Sequence, residues 1–95
     1  MLNLQEMRNE IDLIDKKMVE LYERRMEVVL NIAEYKFQND LPVLNSDREN
    51  EVIRKNCGML QNKSIEKSYI EYFKKLMELS RLEQEKYLKN KTIKL

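Results

Sequence analysis

Apolar residues recur at Leu4, Met7, Ile11, Ile14, Met18, Leu21, Val28, Ile32 and Tyr35. The steps alternate between three and four, interrupted only where position 25 is an arginine. That spacing is the helical period and fails the two-residue period of a strand. Neither Gly nor Pro occurs between residues 4 and 36. Asn3, with Glu6 three residues later, has the form of an N-cap and its capping partner. Glu20 and Arg24 are spaced to pair on the wet face. The pattern predicts one helix from about residue 4 to about residue 38.

Gln38-Asn39-Asp40-Leu41-Pro42-Val43 breaks the pattern, with Pro42 as the stop. Ser46-Asp47-Arg48-Glu49 reads as a second capping box and opens a short helix over about 46–57, ending before Gly58. Asn62-Lys63-Ser64 opens a third helix over about 63–90. Its apolar positions include Ile65, Tyr69, Tyr72, Phe73, Leu76, Met77, Leu79 and Leu88. Glu71 with Lys75, and Glu85 with Lys89, are spaced to pair along its surface. The tail after Asn90 is expected to fray. The fold class is all-α, with a long first helix, a short second and a long third.

The first helix is too long for a compact chain of this size. Thirty-five residues at 1.5 Å each reach about 52 Å. A compact fold of 95 residues has a radius of gyration of about 12 Å. The apolar stripe nevertheless continues along the whole helix. A second copy of the chain is the economical cover, which predicts an intertwined homodimer.

Composition agrees with long helices. The chain is 37% charged, with one Gly and one Pro among 95 residues, which form a single domain, 1–95. The net charge of +1 argues against a nucleic-acid partner. There is no His, which removes an imidazole base and a His-ligated metal site. The one Cys, Cys57, has no internal disulfide partner and reads as a small hydrophobe. The longest apolar run is Val28-Val29-Leu30, too short to cross a membrane. The start of the chain lacks the basic-then-apolar form of a signal peptide, so a cytoplasmic protein is expected.

Several polar residues stand out against this frame. Arg25 sits where the stripe calls for a hydrophobe. It is either a seam residue that reaches water or a Glu, or a buried cation awaiting an anionic ligand. Lys36 is eleven residues further on and shares its face, about 16 Å along the axis. Arg8 is about 25 Å from Arg25 in the other direction. It is a solvated first-turn residue, or it reaches the same ligand from a second copy. Glu49 is either the capping partner of Ser46 or an inward-facing carboxylate. Ser80 and Gln84, in line with Leu76 and Leu88, form either a structural contact or a polar patch facing a ligand. The inventory is poor for hydrolysis and suits a small dianion held by charge and hydrogen bonds. A helical interaction module without catalysis, with Arg25 setting register, is the competing reading.

Taken together, these motifs resemble the all-helical, AroQ-class chorismate mutases. The resemblance covers about residues 4–90. It rests on Met7-Arg8-Asn9-Glu10-Ile11-Asp12, Glu23-Arg24-Arg25, Lys36, Pro42-Val43, Asp47-Arg48-Glu49, and Ser80 with Gln84. It implies three helices per chain in an intertwined dimer, rearrangement of chorismate to prephenate on the route to Phe and Tyr, and no cofactor. By position, it implies that Arg25 and Ser80 hold the ring carboxylate. Arg8 of the partner subunit, with Lys36, would hold the enolpyruvyl carboxylate. Lys36 and Gln84 would donate to the ether oxygen, and Glu49 would accept from the ring hydroxyl. Arg48 would line the pocket and support Glu49. Asn45 stands where the family often has Asp, and a main-chain contact there would survive the change. An isochorismate pyruvate lyase on the same fold would share this inventory.

Overall fold

The computed structural model describes residues 3–93. Helix α1 runs Leu4–Gln38, as the periodicity predicts. Its capping box is closed: the Glu6 N–H donates to Asn3 Oδ1 at 2.8 Å, and the Asn3 N–H donates to Glu6 Oε2 at 3.2 Å. At the other end the Asn39 N–H returns to the Tyr35 carbonyl, and the Leu41 N–H to that of Lys36. Asp40 completes the reversal at φ 54°, a left-handed conformation that a short polar side chain tolerates better than most.

Helix α2 runs Ser46–Met59. Its N-cap is Asn45, not Ser46: Asn45 Oδ1 accepts the Arg48 N–H at 3.1 Å. The expected box between Ser46 and Glu49 therefore does not form, and Glu49 is released for another partner. Nor does α2 stop before Gly58. It passes through that residue and ends at Met59, where the Leu60 N–H closes onto the Cys57 carbonyl. Gly58 has no positive φ, so its backbone continues the helix at the usual small propensity cost.

Asn62 caps the next element through the Ser64 N–H, at 3.0 Å. A single 3₁₀ turn, Lys63–Ile65, then leads into α3, Glu66–Ile93. The helix thus continues past Asn90, where fraying is expected, as far as Ile93; the last two positions of the chain lie outside the described residues. The surface pairs also differ from the i,i+4 expectation. Lys75 pairs with Glu78 rather than Glu71, and neither Glu20–Arg24 nor Glu85–Lys89 closes among the described residues.

Helix α3 is the hub. Its buried positions are Phe73, Met77, Ser80 and Gln84, spaced four, three and four. Val29 and Ala33 are the buried residues of α1, and Cys57 that of α2. Arg25 meets Phe73 and Ser80, and Glu34 meets Tyr87 and Lys91. The register ascends in both helices, so α1 and α3 run parallel and α2 is the return.

The packing covers only part of α1. From residue 3 to residue 24 every side chain is exposed. Met7, Ile11, Ile14 and Met18 keep 45–55% of their surface. The molecule measures 59 × 28 × 15 Å with a radius of gyration of 17.1 Å, against about 12 Å for a compact chain of this length.

Candidate functional site

The C-terminal half of α1, the start of α2 and the middle of α3 enclose a cleft of about 330 Å³. All the expected site residues but one line it from a single chain. Arg25 and Lys36 come from α1, Asn45 from the α2 cap, Arg48 and Glu49 from α2, and Ser80 and Gln84 from α3. Val29, Ile32, Val52 and Met77 supply the apolar wall. Arg8 is not among them; it is exposed on the uncovered part of α1, beside Leu4, Met7 and Ile11.

Arg25 reaches the cleft because it lies four and eight residues before the buried Val29 and Ala33, on the face of α1 that packs against α3. Its guanidinium lies 5.4 Å from the centre of the Phe73 ring, a cation–π arrangement. Arg25 Nη1 donates to Ser80 Oγ at 2.6 Å. Ser80 Oγ in turn donates to the Leu76 carbonyl at 2.8 Å. Ser80, only 5% exposed, thus presets the arginine, and the rest of the guanidinium fork remains for other acceptors. Arg25 is half-buried, lines the cleft and pairs with no carboxylate among the described residues.

Lys36 Nζ donates to the Val43 carbonyl at 2.7 Å. This ties the ammonium to the loop after Pro42 while keeping further protons to donate. Gln84 is 6% exposed, and its Oε1 is buried without a hydrogen-bond partner. An unpaired buried amide oxygen costs about 1–3 kcal/mol.

Glu49 faces inward, and its partner comes from α3. Arg81 Nη1 donates to both of its carboxylate oxygens, each at 2.6 Å. Arg48 does not support Glu49; it pairs with Glu51 at 2.6 Å on the exposed face of α2. Asn45 spends its side-chain oxygen on the helix cap. Arg81 is the cleft residue that the sequence pattern did not single out. Its spacing of four from Met77 and three to Gln84 puts it on the same face, which is the available signal.

The geometry is a cationic cleft with a single paired carboxylate, apolar walls and a buried amide. The sequence profile of chorismate mutase type II matches residues 7–85. The chain belongs to that family. Among similar proteins is a bifunctional chorismate mutase/prephenate dehydratase of Buchnera aphidicola subsp. Schizaphis graminum, 37% identical over 85% of this chain and 21% of the relative. A protein with the same description from Buchnera aphidicola subsp. Baizongia pistaciae is 38% identical over 86% of this chain and 22% of its own length. The T-protein of Haemophilus influenzae is 32% identical over 66% of this chain and 15% of its own. The chain thus spans about a fifth of the length of the first two relatives. No solved structure matches it.

The span matched by the chorismate mutase type II family includes every residue of the cleft and also Arg8. Away from the cleft, Cys57 is buried. Burial, with Glu66 nearby, pushes its thiol above the usual range, so it is not poised as a thiolate. No helix among the described residues is long and apolar enough to cross a membrane.

Proposed function

We propose that this chain catalyses the rearrangement of chorismate to prephenate, in aromatic amino acid biosynthesis, as an intertwined homodimer with shared sites. The observation that carries the reading is the cleft itself: Arg25 preset by Ser80, Lys36 tethered to the loop, and the buried Gln84 amide beside an apolar wall.

The reaction is a unimolecular pericyclic rearrangement. It requires no nucleophile, general base or metal; it requires the substrate to be folded so that the two carbons that join lie close together. Chorismate carries two carboxylates, an ether bridge and a ring hydroxyl. Arg25 and Ser80 hold the ring carboxylate. Lys36 and Arg8 of the partner subunit hold the other, with Arg48 at the wall. Negative charge grows on the ether oxygen as its bond to the ring stretches. The N–H groups of Lys36 and Gln84 meet that charge, and because they are fixed in advance they favour the transition state over the ground state. Glu49 accepts a hydrogen bond from the ring hydroxyl. Asn45 contributes through the backbone at the α2 start, its side chain being committed to the cap.

The dimer follows from α1. One subunit leaves the apolar face from Leu4 to Leu21 in water, with Arg8 on the same stretch. A second copy laid along α1 covers that face and delivers Arg8 toward a cleft that holds no residue from the exposed half of its own α1. The enzyme is cytoplasmic and cofactor-free in this reading.

The test is to add the purified protein to chorismate, follow loss of its ultraviolet absorbance and identify the product. Prephenate formed by the wild type, with a loss of about 10²- to 10³-fold for a folded Arg25→Ala variant, supports the reading. Release of pyruvate instead would identify lyase chemistry on this scaffold, and no turnover by a folded dimer would return the helical interaction module.

A further inference from the structure

Arg81 has no part in the roles above, yet it makes one of the shortest polar contacts in the cleft. One nitrogen, Nη1, spans both oxygens of Glu49 at 2.6 Å. The two side chains come from different helices, 32 residues apart, and are only 28% and 24% exposed. This is not a rim pair of the kind that contributes little.

The pair stands in a shared wall. On one side is the cleft; on the other is an outer hollow of about 400 Å³ between α2 and α3, also lined by Glu49 and Arg81. Lys74 and Lys75 line that outer hollow. Lys75 is engaged with Glu78, so a Glu49 without Arg81 would have Lys74 as a competing cation to turn toward, away from the cleft. Its neighbour in sequence offers no restraint, since Arg48 is engaged with Glu51.

We propose that Arg81 is a positioning residue that aims the Glu49 carboxylate into the cleft as the acceptor for the substrate's ring hydroxyl. The inference rests on the chorismate mutase reading of the site. Arg81 acts through Glu49 and does not itself touch the reacting atoms. Its contribution should therefore vanish when the carboxylate, or the hydroxyl proton that meets it, is removed.

The experiment compares the wild type with Arg81→Met, Arg81→Lys, Glu49→Gln and the Arg81→Met/Glu49→Gln double variant. Each is assayed on chorismate and on the analogue whose ring hydroxyl is methylated, with thermal unfolding recorded alongside. Arg81→Met is expected to lower kcat/KM for chorismate by about 10- to 100-fold, the range of a hydrogen bond to a charged group. Arg81→Lys should recover part of the loss, since it keeps the charge. Adding Arg81→Met to Glu49→Gln should cost far less than adding it to the wild type. The methyl ether, with no proton to give, should show little sensitivity to Arg81. An active wild type whose Arg81→Met variant is unchanged, or slowed equally on both substrates and both backgrounds, overturns the proposal alone. Should Arg81→Met fail to fold, Arg81→Lys with unaltered discrimination between the two substrates would overturn it. A wild type that does not convert chorismate overturns the underlying reading and this inference with it.

Discussion

The two halves of α1 carry the same apolar period but meet different fates. From residue 25 onward the helix meets α3: Val29 and Ala33 are buried and Arg25 is locked to Ser80, although the stripe positions Val28, Ile32 and Tyr35 keep 44–62% of their surface. From residue 3 to residue 24 the stripe is just as regular and entirely exposed. A helix interior looks alike in both halves because hydrogen bonds along the backbone need no tertiary partner. What differs is the reach of the rest of the chain. Burial of an apolar side chain is worth about 1.5–3 kcal/mol, so covering a stripe that long would be strongly favourable. The covered half builds a site; the uncovered half holds the one expected site residue, Arg8, that the site lacks.

The largest effects should come from joining the two halves across subunits. Arg8→Ala disables the uncovered half, and Gln84→Ala disables the cleft. Each variant is expected to remain folded and to lose about 10²- to 10³-fold in rate. Mixed under conditions that exchange subunits, they should regain activity, because each mixed dimer contains one pocket with both residues intact. Subunit exchange shown by mass, with no return of activity, would mean that Arg8 does not act across an interface.

A second variant tests the cover itself. Ile14 lies mid-stripe and keeps 48% of its surface in a single chain. Ile14→Glu should place a charge in the seam of the dimer, twice over by symmetry. Sedimentation is expected to shift from dimer to monomer at micromolar concentration, with activity falling in step. Retained dimer and retained activity would show that this half of α1 is covered by something other than a second copy, or by nothing.

The same contrast explains what is legible in the sequence. Helix α1 is bounded correctly because Asn3 and Glu6 form a local box and no breaker intervenes before the loop at Pro42. Arg25 is conspicuous because it interrupts a stripe. At the start of α2, Asn45 and Ser46 are both good caps, and the helix takes Asn45. That shift of one position takes Glu49 out of the capping role and leaves it to mate with Arg81. The Glu49–Arg81 pair joins residues 32 apart, and no local spacing encodes such a contact. Gly58 has the look of a stop because glycine so often ends a helix, but here the turn comes only at Leu60. Local signals, then, bound the helices and mark the odd residue; the pairings between helices emerge only once they pack.

The smallest predicted effect concerns what fixes the covered end of α1. Glu34 accepts from Lys91 Nζ, from Tyr87 Oη at 2.9 Å and from Gln38 Nε2 at 3.0 Å. Lys91 also lies 5.0 Å from the centre of the Phe37 ring, so one cluster ties the last turns of α1 to the last turns of α3. The hydrogen bond from Lys91, then that from Tyr87, holds the Glu34 carboxyl below its ordinary range. The same bond to Glu34 raises the Lys91 ammonium, and the Tyr87 phenol is raised by its own bond to Glu34. A lowered carboxyl stabilises the fold above its unfolded value and loses that contribution as pH falls through its folded value. Raised Lys91 and Tyr87 contribute below their ordinary values and lose it as pH rises through their folded ones. The clamp is therefore complete across neutral pH and fails on the acid side once Glu34 is protonated. Glu34→Gln should unfold at a modestly lower temperature at pH 7, with the gap to the wild type closing as pH drops below the usual carboxylate range. A gap that stays constant down to about pH 2 would mean that the Glu34 charge does not hold the two helices together. Because the cluster lies beyond the cleft, the dimer and the rate on chorismate at neutral pH should change far less than in any variant of the uncovered half.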